Sequence, residues 1–411
     1  MENPPVRVAL LGSTGSIGRQ TLDVIERLNQ SDGPHFQVVA LAARHHVSTL
    51  AEQVRRYRPH RLAVTDPAAW AAWGQNSPDE DIPALGPGDE ALSELATADD
   101  VDLVVVSVVG AAGLKPTLAA LAQGKTVALA NKETLVIGGH LVAGLLLGKE
   151  SSGEGLAGSR LRPIDSEHSA IWQSLGGCQG WDGTRREPAS NVIRRLILTA
   201  SGGPFRHTPL DEFDTLTPEQ ALRHPNWKMG ARITVDSATM MNKGFEIIEA
   251  AWLFGVSPEQ VQVVIHPQAA IHSLAEMGDG ALLAQLGPAD MRLPIEYALC
   301  FPRRGVRLIE PLNLVQLGRC DFEAVDPSRY PALGVAREVA RQGGTLPAVL
   351  NAADEEAVAA FLAGRIRFPD IARLVEQAVT AHQNTLSPSL EEVLAADQWA
   401  RRQVRERLRS A

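Results

Sequence analysis

The first 148 residues alternate short apolar runs with longer segments of helical periodicity, and this alternation constrains the fold most strongly. Five runs, at residues 7–11, 36–42, 61–65, 101–108 and 126–130, predict strands. Their almost continuous apolar character is typical of parallel strands that are buried on both faces. Strands that alternate with helices predict an α/β fold built on an open, doubly wound parallel sheet.

The remainder of the chain predicts three further segments. A Gly/Ser/Glu-rich connector at 149–158 leads into a mixture of helices and strands, the strands expected at 192–199, 232–235, 261–265 and 281–286, with a surface loop over 176–190. The last eighty residues are rich in Ala, Leu, Glu and Arg, and their breaks separate four helical stretches, which indicates a bundle. We therefore expect domains at 1–150, 151–300 (central α/β with a smaller sheet) and 330–411 (C-terminal four-helix bundle), with a connecting segment at 301–329.

Composition and charge exclude several classes of protein. The chain is 45% hydrophobic and 21% charged, which excludes disorder, collagen and coiled coil. A net charge of −9 gives no general attraction for nucleic acid or an anionic membrane. Cys178, Cys300 and Cys320 are too dispersed to indicate disulfides or a zinc site. With no signal-peptide pattern and no apolar run of about 20 residues, we expect a cytoplasmic protein without membrane or nucleic-acid partners.

A glycine-rich turn follows the first predicted strand and opens a predicted helix. It reads Gly12-Ser-Thr-Gly15-Ser-Ile-Gly18. Glycines permit a tight turn and close backbone approach, and the N-terminus of the helix offers free N–H groups to a diphosphate. This context favours a dinucleotide site, and a structural turn without ligand is the alternative.

The end of the second predicted strand bears on which dinucleotide would bind. An NAD site places Asp or Glu there to accept from the ribose 2′-hydroxyl, whereas this chain has Arg44-His45-His46. Cations at this position suit a 2′-phosphate and favour NADP. A solvated basic loop is the alternative interpretation.

Three acidic residues form a candidate metal site. Asp165 and Glu167 follow an apolar stretch, and residues i and i+2 of an extended chain share one face. Glu246 lies on a later predicted helix. Oxygen-only ligands suit Mg²⁺ or Mn²⁺ rather than zinc. Asp165 and Glu167 could instead be solvated acids that cap the next helix.

These features occur together with other motifs in a fixed order. The glycine-rich turn is followed by Leu129-Ala-Asn-Lys-Glu133, Asp165-Ser-Glu-His168, Ser201-Gly-Gly-Pro-Phe205, His224-Pro-Asn-Trp-Lys-Met-Gly230 and Asp236-Ser-Ala-Thr-Met-Met-Asn-Lys-Gly244. Six motifs in this order closely resemble the 1-deoxy-D-xylulose 5-phosphate reductoisomerase family over essentially the whole chain. The resemblance implies a Rossmann-like NADPH domain, a central catalytic domain, a C-terminal helical bundle and a homodimer.

The resemblance also implies residue roles. Its coenzyme contacts are Thr14, Gly15, Ser16, Ile17, Asn131, Glu133 and Gly230. Its metal ligands, for Mg²⁺, Mn²⁺ or Co²⁺, are Asp165, Glu167 and Glu246. Its substrate contacts are Lys132, Ser166, Glu167, Ser201, His224, Ser237, Asn242, Lys243 and Glu246, of which Lys132, Glu167, His224 and Glu246 are the expected catalytic residues. Arg44, His45 and His46 replace a Gly-Lys-Asn-like triplet of many members, which leaves open which of them contacts the 2′-phosphate.

The implied reaction makes 2-C-methyl-D-erythritol 4-phosphate from 1-deoxy-D-xylulose 5-phosphate for isoprenoid biosynthesis by the non-mevalonate route. A retro-aldol/aldol rearrangement assisted by the metal would give an aldehyde, which NADPH then reduces. The loop around Trp227 is expected to close over the phosphorylated sugar substrate, and a tryptophan buried in the core is the alternative. Two alternatives remain: an NADP-dependent dehydrogenase of a phosphorylated sugar that needs no rearrangement, and a non-catalytic NADP sensor.

Overall fold

The computed structural model describes residues 4–76, 81–146, 160–176, 193–227 and 229–410. The first sheet contains β1 (Val6–Leu11), β2 (Phe36–Ala43), β3 (Arg61–Val64), β4 (Ala84–Leu85), β5 (Leu103–Val106), β6 (Thr126–Leu129) and β7 (Leu161–Pro163). Their order is β4-β3-β2-β1-β5-β6-β7, and every neighbouring pair is parallel. Strand order reverses between β1 and β5, and ligands of open parallel sheets bind at the carboxyl edge of such a reversal.

Helices cover both faces of this sheet. They are α1 (Ser16–Asn29), α2 (Val47–Tyr57), α3 (Pro67–Asn76), α4 (Glu90–Thr97), α5 (Leu114–Ala122) and α6 (Lys132–Leu146). Val8 and Leu10 of β1 pack into the core under α1 and α2, whereas Ala9 and Leu11 pack into the core under α4, α5 and α6. Because successive residues of a strand point to opposite faces, β1 is apolar throughout. The doubly wound parallel sheet is confirmed.

The second sheet is smaller and mixed. Its strands are β8 (Ile193–Ala200), β9 (Val261–Ile265), β10 (Ile271–Met277), β11 (Leu282–Leu286) and β12 (Glu323–Ala324). The order is β11-β10-β8-β9-β12, in which only β8 and β9 run parallel. The accompanying helices are α7 (Ser166–Leu175), α8 (Pro218–Ala221), α9 (Ala231–Thr239), α10 (Met241–Phe254), α11 (Arg292–Cys300) and α12 (Leu314–Leu317).

One expectation for the central segment is wrong, and one of its strands is not predicted. The strand predicted at 232–235 is wrong, because these residues lie in helix α9. Their β-branched side chains suggested a strand, but the burial of Thr234, Val235, Ala238 and Thr239 follows a helical period. No strand is predicted from the sequence at β10, which pairs with β8 on one side and with β11 on the other. The loop expected at 176–190 lies outside the described residues from 177 onwards.

The C-terminal segment is helical, as predicted. It comprises α13 (Pro331–Gln342), α14 (Leu346–Leu362), α15 (Phe368–Ala381) and α16 (Leu390–Ser410). Helix α14 is the most buried of them, and its apolar residues share one core with side chains from α6, α9 and α10. The bundle therefore packs against the helices of the central segment.

The domain boundaries remain predictions. Strand β7, which follows the expected connector, pairs with β6 and completes the first sheet, although it falls beyond the boundary expected at residue 150. Among the described residues, no helix combines the length and apolar character needed to cross a bilayer.

Candidate active site

A cleft of about 1160 Å³ lies at the carboxyl edge of the first sheet and extends to β8, α9 and α10. The predicted residues that line it are Gly15, Ser16, Ile17, Lys132, Glu133, Asp165, Ser166, Glu167, Ser201, His224, Gly230, Ser237, Asn242, Lys243 and Glu246. Thr14, Arg44, His45, His46 and Asn131 are not among the lining residues. The predicted metal and substrate residues are thus brought together, and the predicted coenzyme residues only in part.

The glycine-rich turn connects β1 to α1 at one wall of the cleft. Gly12 has a φ of +91°, and a Cβ there would lie 2.6 Å from the carbonyl oxygen of Ser107. A Cβ on Gly18 would lie 2.3 Å from the carbonyl oxygen of Gly12. Both positions therefore require glycine, and the turn leaves the N-terminus of α1 facing the cleft, where an anion is stabilised.

The basic triplet lies apart from this wall. Arg44, His45 and His46 are exposed and follow the carboxyl end of β2. Nδ1 of His45 lies 3.5 Å from Oδ2 of Asp66. The triplet stands where the adenosine ribose of a dinucleotide reaches in folds of this kind, and its contact with a 2′-phosphate stays a prediction.

Asn131 holds the residues around it in place through hydrogen bonds, and its coenzyme contact stays a prediction. Its side-chain amide donates to the carbonyl oxygens of Val108 (2.9 Å) and Gly110 (3.1 Å) and to Oε2 of Glu133 (2.9 Å). Its Oδ1 accepts from the backbone N–H of Thr134 at 3.0 Å. Because both ends of this buried amide are occupied, Asn131 fixes the start of α6 and the neighbouring Glu133 carboxylate.

Three carboxylates converge at the centre of the cleft. One oxygen from each of Asp165, Glu167 and Glu246 lies within 4.8 Å of the others. Asp165 is the N-cap of α7, and its Oδ1 accepts from the backbone N–H of Ser166 at 3.1 Å. Glu167 lies in the first turn of that helix, so a cap and a helical turn bring the pair together, and the extended-chain spacing assumed from the sequence is wrong.

Two lysines compensate this charge. Nζ of Lys132 lies 2.5 Å from Oδ2 of Asp165 and 3.2 Å from Oε1 of Glu246. Nζ of Lys243 lies 2.6 Å from Oε1 of Glu167 and 2.5 Å from Oε2 of Glu246. Three acids thus face two cations in a buried site, which leaves an excess negative charge if all are ionised.

The pKa values respond to this environment. Burial, aided by the charge of Glu167, raises the pKa of Glu246 to about 7. Burial also acts on Glu167, but Lys243 and Lys132 outweigh it and lower its pKa to about 2. Neighbouring carboxyls with pKa values displaced in opposite directions are frequent at functional sites.

The donor set fits a hard divalent cation. All three converging ligands are carboxylate oxygens, which Mg²⁺ and Mn²⁺ prefer. Oδ2 of Asp165 is buried and, within the described residues, accepts no hydrogen bond of good geometry, although the Lys132 ammonium is close. A further cation would satisfy this oxygen and the excess charge together.

Ser201 and His224 form a polar pair on the opposite wall. Nδ1 of His224 accepts from the backbone N–H groups of Asn226 (3.2 Å) and Trp227 (2.9 Å), so its proton resides on Nε2. Nε2–H then donates to Oγ of Ser201 at 3.1 Å. Burial and the charge of Lys243 lower the pKa of His224 to about 4, which keeps the ring neutral. The Ser201 hydroxyl proton remains available to an anionic ligand.

Further polar side chains complete this wall. Ser237 donates its hydroxyl to the carbonyl oxygen of Ile233 at 2.9 Å, and Asn242 donates to Oε1 of Glu246 at 2.5 Å. Trp227 lines the cleft with its ring centroid 6.1 Å from that of His272. Whether the loop around Trp227 closes over a ligand remains a prediction.

Among the charged cleft residues that the sequence does not predict are Arg232 and Asp236. Arg232 and Asp236 line the cleft and lie one helical turn apart on α9, with Nε of Arg232 3.6 Å from Oδ2 of Asp236. The i,i+4 spacing of an Arg–Asp pair was the available signal, but it was hidden by the incorrect strand at 232–235.

Comparisons with known proteins agree with this geometry. Family models match residues 8–139 (1-deoxy-D-xylulose 5-phosphate reductoisomerase), 161–254 (its C-terminal domain) and 286–403 (DXP reductoisomerase C-terminal domain). A protein of Symbiobacterium thermophilum named 1-deoxy-D-xylulose 5-phosphate reductoisomerase is 49% identical over 402 residues, covering 97% of this chain and 98% of that protein. A protein of the same name from Chlorobium phaeovibrioides is 48% identical, with 96% and 97% covered.

Solved structures show the same likeness. The reductoisomerase of Zymomonas mobilis in complex with NADPH is 42% identical, with a TM-score of 0.84 over 99% of this chain and 100% of that one. A DOX-P reductoisomerase in complex with NADPH, fosmidomycin and magnesium is 37% identical, with a TM-score of 0.89 over 98% of both chains.

Proposed function

The chain belongs to the 1-deoxy-D-xylulose 5-phosphate reductoisomerase family, and on that premise we propose how its own residues perform the reaction. The protein is an NADPH-dependent oxidoreductase of isoprenoid biosynthesis that uses NADPH and a divalent metal. The observation that supports our assignment of roles is the convergence of Asp165, Glu167 and Glu246 in the cleft that the glycine-rich turn also lines.

The three carboxylates would hold the divalent metal. When bound, Mg²⁺ or Mn²⁺ supplies Lewis-acid stabilisation to charge that develops on adjacent substrate oxygens during the retro-aldol/aldol rearrangement. Lys132 holds Asp165 and Glu246 in place, and Lys243 does the same for Glu167 and Glu246. The lysines thereby pre-organise the ligands and limit the repulsion between them.

The wall around α1 would bind the coenzyme. NADPH supplies the hydride that reduces the rearranged aldehyde. Gly15, Ser16 and Ile17 present the helix N-terminus to the diphosphate. Glu133, fixed by Asn131, also lines this cleft and would contact the coenzyme near its nicotinamide. One or more of Arg44, His45 and His46 would pair with the 2′-phosphate beyond the cleft.

The opposite wall would orient the phosphorylated sugar. The Ser201 hydroxyl, whose oxygen already accepts from His224, donates to phosphate, and Lys243 adds a positive charge. Ser237 and Asn242 contact the same end, whereas Lys132 and Ser166 contact the reacting end. Holding the remote phosphate orients the carbon atoms whose bonds change.

The direct test follows NADPH oxidation with 1-deoxy-D-xylulose 5-phosphate and Mg²⁺ and identifies the product. We expect one 2-C-methyl-D-erythritol 4-phosphate per NADPH consumed, no turnover with chelator, and much weaker turnover with NADH. Reduction that is indifferent to chelator would indicate a dehydrogenase without metal-assisted rearrangement. NADPH binding without any oxidation would indicate the sensor alternative.

We also propose a cytoplasmic homodimer. Leu314 and Val315 lie on α12, and Phe322 directly precedes the edge strand β12. Their exposed fractions are 64%, 92% and 50%, and large apolar side chains so exposed favour an interface. Size-exclusion chromatography with light scattering should give twice the 44.1 kDa chain mass. A monomer at micromolar concentration would contradict the dimer.

A further inference from the structure

Arg232 joins three parts of the molecule at the edge of the cleft. Its side chain is 16% exposed, and Nη1 donates to Oε1 of Glu133, on α6, at 3.2 Å. Nη2 donates to Oδ1 of Asn351, on α14, at 2.7 Å. Asp236 of its own helix and Asp354 of α14 lie 3.6 Å and 3.5 Å from the guanidinium. A single cation therefore connects the cleft, helix α9 and the C-terminal bundle.

The charge balance of this arrangement depends on Arg232 more than on any neighbouring residue. Among the described residues, it is the only lysine or arginine paired with Glu133, Asp236 or Asp354. Burial disfavours its charge, but these carboxylates outweigh that effect and raise the pKa of Arg232 above its ordinary value. Burial and the nearby Asp354 raise the pKa of Asp236 above its ordinary value.

Glu133 is the point at which this network reaches the cleft. Oε2 accepts from Asn131, and Oε1 accepts from Arg232, so both carboxylate oxygens are fixed. The planar guanidinium can hold Glu133 and Asn351 at once because its donors form a rigid fork. Arg232 also lies two residues after Gly230, where the loop that follows Trp227 ends and α9 begins.

We propose that Arg232 is a positioning residue for the coenzyme: it holds the Glu133 carboxylate against the C-terminal bundle and so transmits the rigidity of α14 to the nicotinamide side of the cleft. The proposal rests on the proposed function in one respect, the placement of Glu133 beside the coenzyme. Arg232 itself acts through Glu133 and contacts no reacting atom.

Arg401 offers a matched control. Its Nη2 lies 2.7 Å from Oε2 of Glu355, which is also 3.6 Å from Nη1 of Arg232. Arg401 pairs further with Glu356 and Asp397 inside the bundle and does not line the cleft. Arg401→Met thus removes a cation from the same network without touching Glu133.

The experiment measures the NADPH dissociation constant by coenzyme fluorescence, with thermal unfolding of each variant. We expect Arg232→Met to weaken NADPH by about tenfold and Arg401→Met by less than about twofold, with comparable losses of melting temperature. Arg232→Lys, which keeps the charge but loses the fork, should fall between wild type and Arg232→Met, and it serves as the probe if the methionine variant does not fold. Arg232→Met should raise KM for NADPH more than it lowers kcat.

A double-mutant cycle with Glu133→Gln separates the possible failures. We expect the double variant Arg232→Met/Glu133→Gln to bind NADPH no more weakly than the weaker-binding single variant, because both substitutions remove the same Arg232–Glu133 interaction. A normal dissociation constant in the Arg232 variants, or equal weakening by Arg401→Met, would overturn the positioning role while the coenzyme site stands. Unchanged NADPH binding by Glu133→Gln would contradict the proposed placement of Glu133 itself and overturn the coupling.

Discussion

Nζ of Lys243 lies 2.6 Å from Oε1 of Glu167 and so bridges helix α10 to the first turn of α7. The same nitrogen reaches Glu246. Lysine and metal ion would therefore compensate the same two carboxylates, one as a permanent ammonium and the other as a divalent charge. This relationship predicts how stability and metal binding depend on each other.

Replacing Lys243 with methionine should make the fold depend on metal. Without metal, the variant leaves Glu167 and Glu246 buried and under-compensated, and removal of one partner of a buried ion pair costs about 3–5 kcal/mol. Added Mn²⁺ restores part of that free energy by binding the freed oxygens. Thermal unfolding with chelator and with Mn²⁺ should give a larger metal-induced shift in Lys243→Met than in wild type, and equal shifts would contradict the shared-carboxylate account.

Arg44→Ala should weaken NADPH by about tenfold and leave NADH within about twofold, because only NADPH carries the 2′-phosphate that a guanidinium pairs with. Equilibrium binding of the two coenzymes checks this. Arg56→Ala is the control, since Arg56 lies on the adjoining helix α2 and pairs with Glu26 at 2.5 Å. Equal losses for NADPH and NADH would show that Arg44 does not read the phosphate.

Gly18→Ala should disrupt the glycine-rich turn. The added Cβ would lie 2.3 Å from the carbonyl oxygen of Gly12, which is backbone and can move only with the turn. We expect a loss of about 1–3 kcal/mol in unfolding free energy and weakened NADPH binding. Gly144→Ala is the control, because it meets no atom within 4 Å on helix α6 and should be neutral or stabilising. Normal coenzyme binding by Gly18→Ala would contradict a close backbone approach.

Acid should destabilise the protein partly through His168. Burial lowers its pKa to about 4 from an ordinary 6.5, so the unfolded chain binds this proton more readily than the folded protein. Stability is therefore lost as pH falls from 6.5 to 4, by up to about 3 kcal/mol from this residue. Urea unfolding with chelator present should show a steeper decline over this interval in wild type than in His168→Asn, and parallel profiles would contradict the buried neutral imidazole.

Much of the first sheet could be predicted because its information is local. The apolar strands and the turn at Gly12–Gly18 are contiguous patterns, and parallel strands buried on both faces leave little ambiguity. The helical identity of Arg232–Val235 could not be read in the same way, because four β-branched or long residues fit either period. The burial of their faces by α10 and α14 decided it.

The site was predicted by motif order, and its geometry was not. Motifs identified Lys132 and Lys243 as substrate residues, but only the fold shows that both pair with the predicted metal ligands. Similarly, the motifs predict a coenzyme contact for Asn131, but only the fold shows its hydrogen bonds with Val108 and Gly110, which join segments that are distant in sequence. Such pairings depend on tertiary contacts that no local pattern encodes.

Binding of Mn²⁺ to wild type and to Glu246→Gln, followed by electron paramagnetic resonance together with turnover, tests the central claim that Asp165, Glu167 and Glu246 hold the catalytic metal. The account predicts one tight Mn²⁺ per chain in wild type, and in Glu246→Gln a loss of at least about tenfold in Mn²⁺ affinity with near-complete loss of turnover. NADPH affinity should be unchanged, since Glu246 is not one of the predicted coenzyme contacts. Wild-type Mn²⁺ affinity and turnover in Glu246→Gln would contradict it.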